Sequence, residues 1–86
     1  MNVSLSKYFD KRFSKLPNKV QQKTLERIQL FRIEPNARIL RNHGLTGKWT
    51  GYRSIDVTGD YRAVYMLVQD NLAKFYTVDT HSNLYG

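Results

Sequence analysis

The chain holds two histidines, His43 and His81, and imidazole is the side chain that titrates near neutrality without help from its surroundings. Both lie outside the stretches of regular hydrophobic period, which makes them the first candidates for proton transfer. The plainer reading of a loop histidine is a solvated or capping residue, and nothing in the spacing brings these two together. Asp60 and Arg62 flank Tyr61 at the head of a strand-like run, where period two puts both side chains on one face of a sheet. They form either a surface ion pair, worth at most ~1 kcal/mol, or a fixed cation for a phosphate with a carboxylate that orients a histidine. Tyr85 sits beside Leu84 where chains usually fray, so the pair is expected to dock; the ring either closes a core edge or stacks on a nucleobase. Trp49 and Tyr52 pose the same choice, and packing is the expectation for Trp49.

Other chemistries lack their residues. There is no Gly-rich phosphate loop, no nucleophile turn in a Ser-His-Asp order and no metal-ligand spacing, and Gly44-Leu-Thr-Gly47 is not a P-loop. The absence of cysteine rules out zinc knuckles and disulfides, so no cofactor is expected and the cytoplasm is the expected compartment. What survives is metal-free acid–base chemistry on a phosphodiester, or no chemistry at all.

These side chains need a scaffold, and 86 residues allow one domain, 1–86, with a single core that consumes most of the 41% hydrophobic content. A large enclosed cavity is not expected. Ser6 precedes Phe9, Phe13 and Leu16 at helical spacing, with Lys7, Lys11, Arg12 and Lys15 on the other faces. Pro17-Asn18 breaks this helix, and Asn18 with Gln21 has the form of a capping box opening a second, whose Val20, Thr24, Ile28 and Phe31 share one face until Pro35. Residues 36–50 show no period and read as an ordered loop.

From Gly51 the period becomes two, with Arg53, Ile55 and Val57 alternating with Tyr52, Ser54 and Asp56. A turn at Thr58-Gly59-Asp60 follows, attributed to a glycine of positive φ and an Asp that bonds its own backbone. Strands at 61–68 and 72–78 complete an antiparallel meander, with Val3 to Leu5 as a candidate edge strand. The predicted fold is α+β: an N-terminal helical hairpin packed on one face of a three- to four-stranded, mainly antiparallel sheet.

Charge adds a direction. Fourteen Lys+Arg against seven Asp+Glu give +7, and residues 1–43 carry the whole excess, with ten basic and three acidic side chains. That half is either a solvated helical face or a surface for polyanions, nucleic acid or an acidic protein. No apolar run approaches the ~20 residues of a membrane span, and the first residues lack the apolar core of a secretory signal, so no membrane role is expected.

The run Leu45-Thr-Gly-Lys-Trp-Thr-Gly-Tyr-Arg-Ser-Ile-Asp-Val-Thr-Gly-Asp-Tyr-Arg-Ala-Val-Tyr65, followed by Asp79-Thr-His-Ser-Asn-Leu-Tyr-Gly86, resembles the RelE/ParE toxin superfamily, with its YafQ-like branch closest. The resemblance implies the toxin of a type II toxin–antitoxin pair that enters the ribosomal A site and cuts the translated mRNA. It implies as partners a cognate antitoxin, the 70S ribosome and mRNA, with DNA met only through the antitoxin complex. Carried over by position, it points to His43, Asp60, His81 and the terminal aromatic Tyr85, and Arg62 matches the arginine of the Tyr-Arg-x-x-Tyr motif of RelE-type members.

In the implied mechanism the RNA 2′-hydroxyl attacks the adjacent phosphate, with His81 as general acid, His43 or Asp60 as base, Arg62 on the developing charge and Tyr85 stacked on the base. Lys48, Arg53, Lys11, Lys15, Lys19 and Lys23 would contact RNA. Two positions depart from the branch: Asp56, where a histidine can stand, and Thr77, where an arginine can stand, so the phosphate cation falls to Arg62 with Lys48 in support. The alternatives are a ParE-like gyrase inhibitor and an inactive toxin-fold module that only binds its antitoxin.

Overall fold

In the computed structural model, which describes residues 1–86, strand β1 (Asn2–Leu5) leads into helix α1 (Lys7–Ser14) through Ser6. The Ser6 hydroxyl accepts the Phe9 amide at 2.9 Å and donates to the Tyr76 carbonyl at 2.8 Å. It thus satisfies an end donor of the helix and pins that end to the sheet. Ser6→Ala is expected to cost about 1–2 kcal/mol, seen as a lower urea midpoint at unchanged slope.

Helix α2 (Asn18–Ile33) ends one residue before the Glu34-Pro35 step, as predicted. Its start differs. Asn18 is the first helical residue, after Pro17, and no side chain caps that end. Gln21 instead reaches back, its amide donating to the Phe13 and Leu16 carbonyls at 3.0 and 3.1 Å. The expected capping box is therefore replaced by a lock across the hairpin, in which the Gln21 amide adds to the Leu16 amide already on the Phe13 carbonyl and also takes the Leu16 carbonyl beyond the end of α1.

The sheet has five strands in the order β1-β5-β4-β3-β2, with β1 parallel to β5 and the other pairs antiparallel. Strands β3 (Arg53–Asp56), β4 (Tyr61–Gln69) and β5 (Leu72–Thr80) form the meander, and β1 is the predicted edge. The additional strand is β2 (His43–Gly44), inside the stretch read as a loop; it pairs His43 with Ser54 and Gly44 with Arg53. Two residues are too few to display a period.

Phe9, Leu16, Ile28 and Phe31 of the helical layer share one core with Ile55, Val57, Ala63, Tyr65, Phe75 and Val78 of the sheet. Phe31 sits edge-on to Tyr65 and Phe75, with ring centroids 4.8 and 5.3 Å away. The opposite face is not left to water: Ser54, Val64 and Thr77, in register across β3, β4 and β5, are also buried. On the C-terminal helix α3 (His81–Tyr85), Leu84 is buried and its carbonyl accepts the Trp49 indole N–H at 3.0 Å. Docking of the C-terminus and packing of Trp49 are thus both found.

The turn between β3 and β4 stands where expected but is built differently. The Thr58 hydroxyl accepts the amides of Asp60 and Tyr61 at 3.2 and 3.0 Å, while positive φ among the glycines is confined to Gly47 and Gly51. A threonine turn does the work assigned to Gly59 and Asp60. No helix is long and apolar enough to cross a membrane.

Candidate active site

Five elements meet at one corner of the sheet. Strand β2 carries His43; β3 ends on Asp56, which is paired in register with Arg62 at the start of β4; and Arg62 lies opposite Asp79 near the end of β5. There the chain enters α3, capped by the Thr80 hydroxyl, which accepts the Asn83 amide at 3.2 Å. The His81 amide donates to the Asp60 carbonyl at 2.8 Å, which ties the start of α3 to the β3–β4 turn. One helical turn later Tyr85 stacks edge-on to His81, with centroids 4.7 Å apart.

The result is a small polar cavity of about 140 Å³ lined by Arg41, His43, Asp56, Arg62, His81 and Tyr85. It shares His43, His81 and Tyr85 with a wider groove of about 690 Å³, whose other wall is the segment from Gly44 to Trp49, including Lys48. Of the residues singled out in the sequence, His43, Arg62, His81 and Tyr85 converge, and Lys48 faces the same groove.

Arg62 is held firmly. Its Nη1 donates to the Thr58 and Tyr61 carbonyls at 2.9 and 3.0 Å, and its Nε lies 3.0 Å from Asp56 Oδ1, with the side chain only 15% exposed. A guanidinium fixed on one edge presents its remaining N–H groups in a defined direction, which suits an anionic oxygen. With Arg41 and Lys48 nearby and Asp56 the single carboxylate lining either cavity, the corner is net positive. It combines two imidazoles, a fixed cation and an aromatic ring, the requirements for proton transfers at a phosphodiester. No group of three or more His, Cys, Asp or Glu side chains is placed to hold a metal ion.

Asp60 does not join the cavity. Its exposed carboxylate makes no hydrogen bond, and only its backbone serves the site, so the ion pair read for Asp60 and Arg62 is made by Asp56 and Arg62 instead. Arg53 lines neither cavity; its Nε donates to Asn42 Oδ1 at 3.0 Å, the atom that also accepts the Tyr65 hydroxyl. Lys11, Lys15 and Lys19 are exposed and Lys23 lies 3.4 Å from Glu26, all four outside the two cavities. Arg41 carries no mark in the sequence, and Asp56 stands out there only as a departure from the YafQ-like pattern. Counting outward from Gly59 at the centre of the hairpin pairs Asp56 with Arg62, so that contact was available from register alone.

No family model matches the chain. It is 36% identical over 52 residues to the mRNA interferase toxin YafQ of Escherichia coli strain K12; the matched stretch is 60% of this chain and 55% of that relative, about half its length. The crystal structure of YafQ from Escherichia coli BL21(DE3) superposes with a TM-score of 0.72 at 26% identity, covering 99% of this chain and 98% of that one. YafQ in the Escherichia coli DinJ–YafQ complex superposes with a TM-score of 0.71, at the same identity and coverage.

Proposed function

Because the chain belongs to the RelE/ParE toxin superfamily, within its YafQ-like branch, we propose that it is the toxin of a type II toxin–antitoxin pair and an endoribonuclease that cuts mRNA on the ribosome. The observation that carries this reading is the convergence of His43, Arg62, His81 and Tyr85 on one cavity from three different elements, β2, β4 and α3. His43 takes the proton of the RNA 2′-hydroxyl as its oxygen attacks the adjacent phosphorus. His81 gives a proton to the departing 5′ oxygen as the P–O bond breaks, leaving a 2′,3′-cyclic phosphate and a 5′-hydroxyl. The base role falls to His43 rather than Asp60 because the Asp60 carboxylate lies outside the cavity. Each transfer is worth about 10²–10⁴ in rate.

Arg62 meets the charge that grows on the phosphoryl oxygens, and Tyr85 packs on His81 and offers its face to a base. The basic helical half, with Lys11, Lys15, Lys19 and Lys23, grips ribosomal RNA in a contact that weakens steeply with salt. An antitoxin partner is supported by the complex of YafQ with DinJ, and acidic or extended segments suit this basic surface.

The chain added to ribosomes translating a defined message is expected to give cuts in codon phase, each upstream fragment ending in a cyclic phosphate. Growth arrest with intact message and damaged DNA would replace this reading with gyrase inhibition, and absence of toxicity would leave an antitoxin-binding module.

A further inference from the structure

Arg41 is the one residue other than glycine with positive φ, at φ 47° and ψ 45°. The left-handed region is disfavoured for any residue with a Cβ, and persists where the surroundings over-determine it. Both halves of Arg41 face the cavity. Its carbonyl oxygen lies 2.7 Å from His43 Nδ1, and its Nε lies 3.7 Å from Asp56 Oδ2, while the other oxygen of that carboxylate is 3.0 Å from Arg62 Nε.

A carbonyl oxygen can only accept, so His43 Nδ1 must carry the hydrogen. In the neutral ring the lone pair is then on Nε2, as a general base requires. The Asp56 carboxylate meanwhile sits between two guanidiniums that would otherwise repel one another. Arg62 is the buried one; the Arg41 side chain is 76% exposed and its 3.7 Å contact is loose, leaving its N–H groups free to engage a second oxygen of the same anion.

We propose that Arg41 is a positioning residue for His43 and the second phosphate-binding cation of the site, with Asp56 as the bracket that joins it to Arg62. On this assignment Asp56, where YafQ-like sequences can carry a histidine, organises cations rather than moving protons. The inference deepens the nuclease reading and rests on it for the identity of the anion.

The test separates backbone from side chain. Arg41→Gly keeps the left-handed turn and removes the guanidinium, whereas Arg41→Val opposes the turn and removes both. Nitrogen NMR on the free chain is expected to show His43 protonated at Nδ1 in the natural protein and in Arg41→Gly, but a mixture of tautomers in Arg41→Val. Arg41→Gly is expected to bind uridine 3′-monophosphate, and to cut message on ribosomes, about 10- to 100-fold less well, as for loss of one charged hydrogen-bonding group. Arg41→Val is expected to cut more slowly still.

An Nε2-protonated His43 in the natural protein overturns the positioning role without recourse to any variant. Nucleotide binding by Arg41→Gly as tight as that of the natural protein overturns the cation role. A natural protein that binds the nucleotide through Arg41 with His43 protonated at Nδ1, yet never cuts message, removes the nuclease reading and leaves this assignment standing.

Discussion

His81→Gln is expected to lower single-turnover cleavage of ribosome-bound message by about 10²-fold or more, the usual contribution of a general acid, with thermal stability almost unchanged. The two halves of that expectation come from different atoms. The His81 backbone does the structural work, through an amide that donates to the Asp60 carbonyl and a place at the start of α3 that Thr80 caps. The imidazole is exposed, makes no hydrogen bond, and touches the fold through the edge of Tyr85. Glutamine keeps the amide and roughly the length of the side chain, but it cannot hand a proton to a leaving alkoxide. Cleavage at the full rate by His81→Gln would remove His81 from the chemistry. Loss of cleavage together with a lowered melting temperature would assign the residue to the fold instead.

The parts of the molecule that repeat were readable before the structure. Thr24, Ile28 and Phe31 recur at helical spacing and are buried together, and the meander announces itself by period two and β-branched residues. What could not be read depends on single contacts between distant residues. His43 belongs to a two-residue strand whose only mark is its pairing with Ser54 and Arg53, so no pattern along the chain distinguishes it from loop. The left-handed position itself is held by Arg41 and not by Gly or Asn, the residues by which such turns are recognised.

Local rules also lost where a distant partner competed better. The pattern gives Gln21 a capping role, but the carbonyls of Phe13 and Leu16 come within its reach once the hairpin closes. Asp60 looked like the partner of Arg62 because the two flank one residue. The true partner, Asp56, is opposite in register, and cross-strand neighbours are closer than residues two apart along one strand. The same register accounts for the position of the cavity: it brings the end of β3, the start of β4 and the entry to α3 to one corner, where His43 arrives from the edge.

Arg62→Gln should lower cleavage by about 10²–10³-fold, the range for removal of one preorganised donor to a developing anion, and the pairing with Asp56 makes the upper part of that range the expectation. Removing the guanidinium leaves the Asp56 carboxylate, whose side chain is 16% exposed, facing the cavity with only the loose Arg41 contact at 3.7 Å. An uncompensated negative charge beside a scissile phosphate repels the group it should help bind. It follows that Asp56→Asn, added to Arg62→Gln, should restore part of the rate. Two losses that acted independently would make the double variant worse than either single one. Arg62→Lys should fall between the natural protein and Arg62→Gln, since it keeps the charge but loses the fork that holds Thr58 and Tyr61. The fold should tolerate all three changes at a cost of about 1–2 kcal/mol, because the Tyr61 carbonyl still accepts the Val57 amide at 2.9 Å. Undiminished cleavage by Arg62→Gln would show that the phosphate is neutralised elsewhere. A double variant slower than Arg62→Gln would show that Asp56 contributes to the chemistry directly rather than by holding cations.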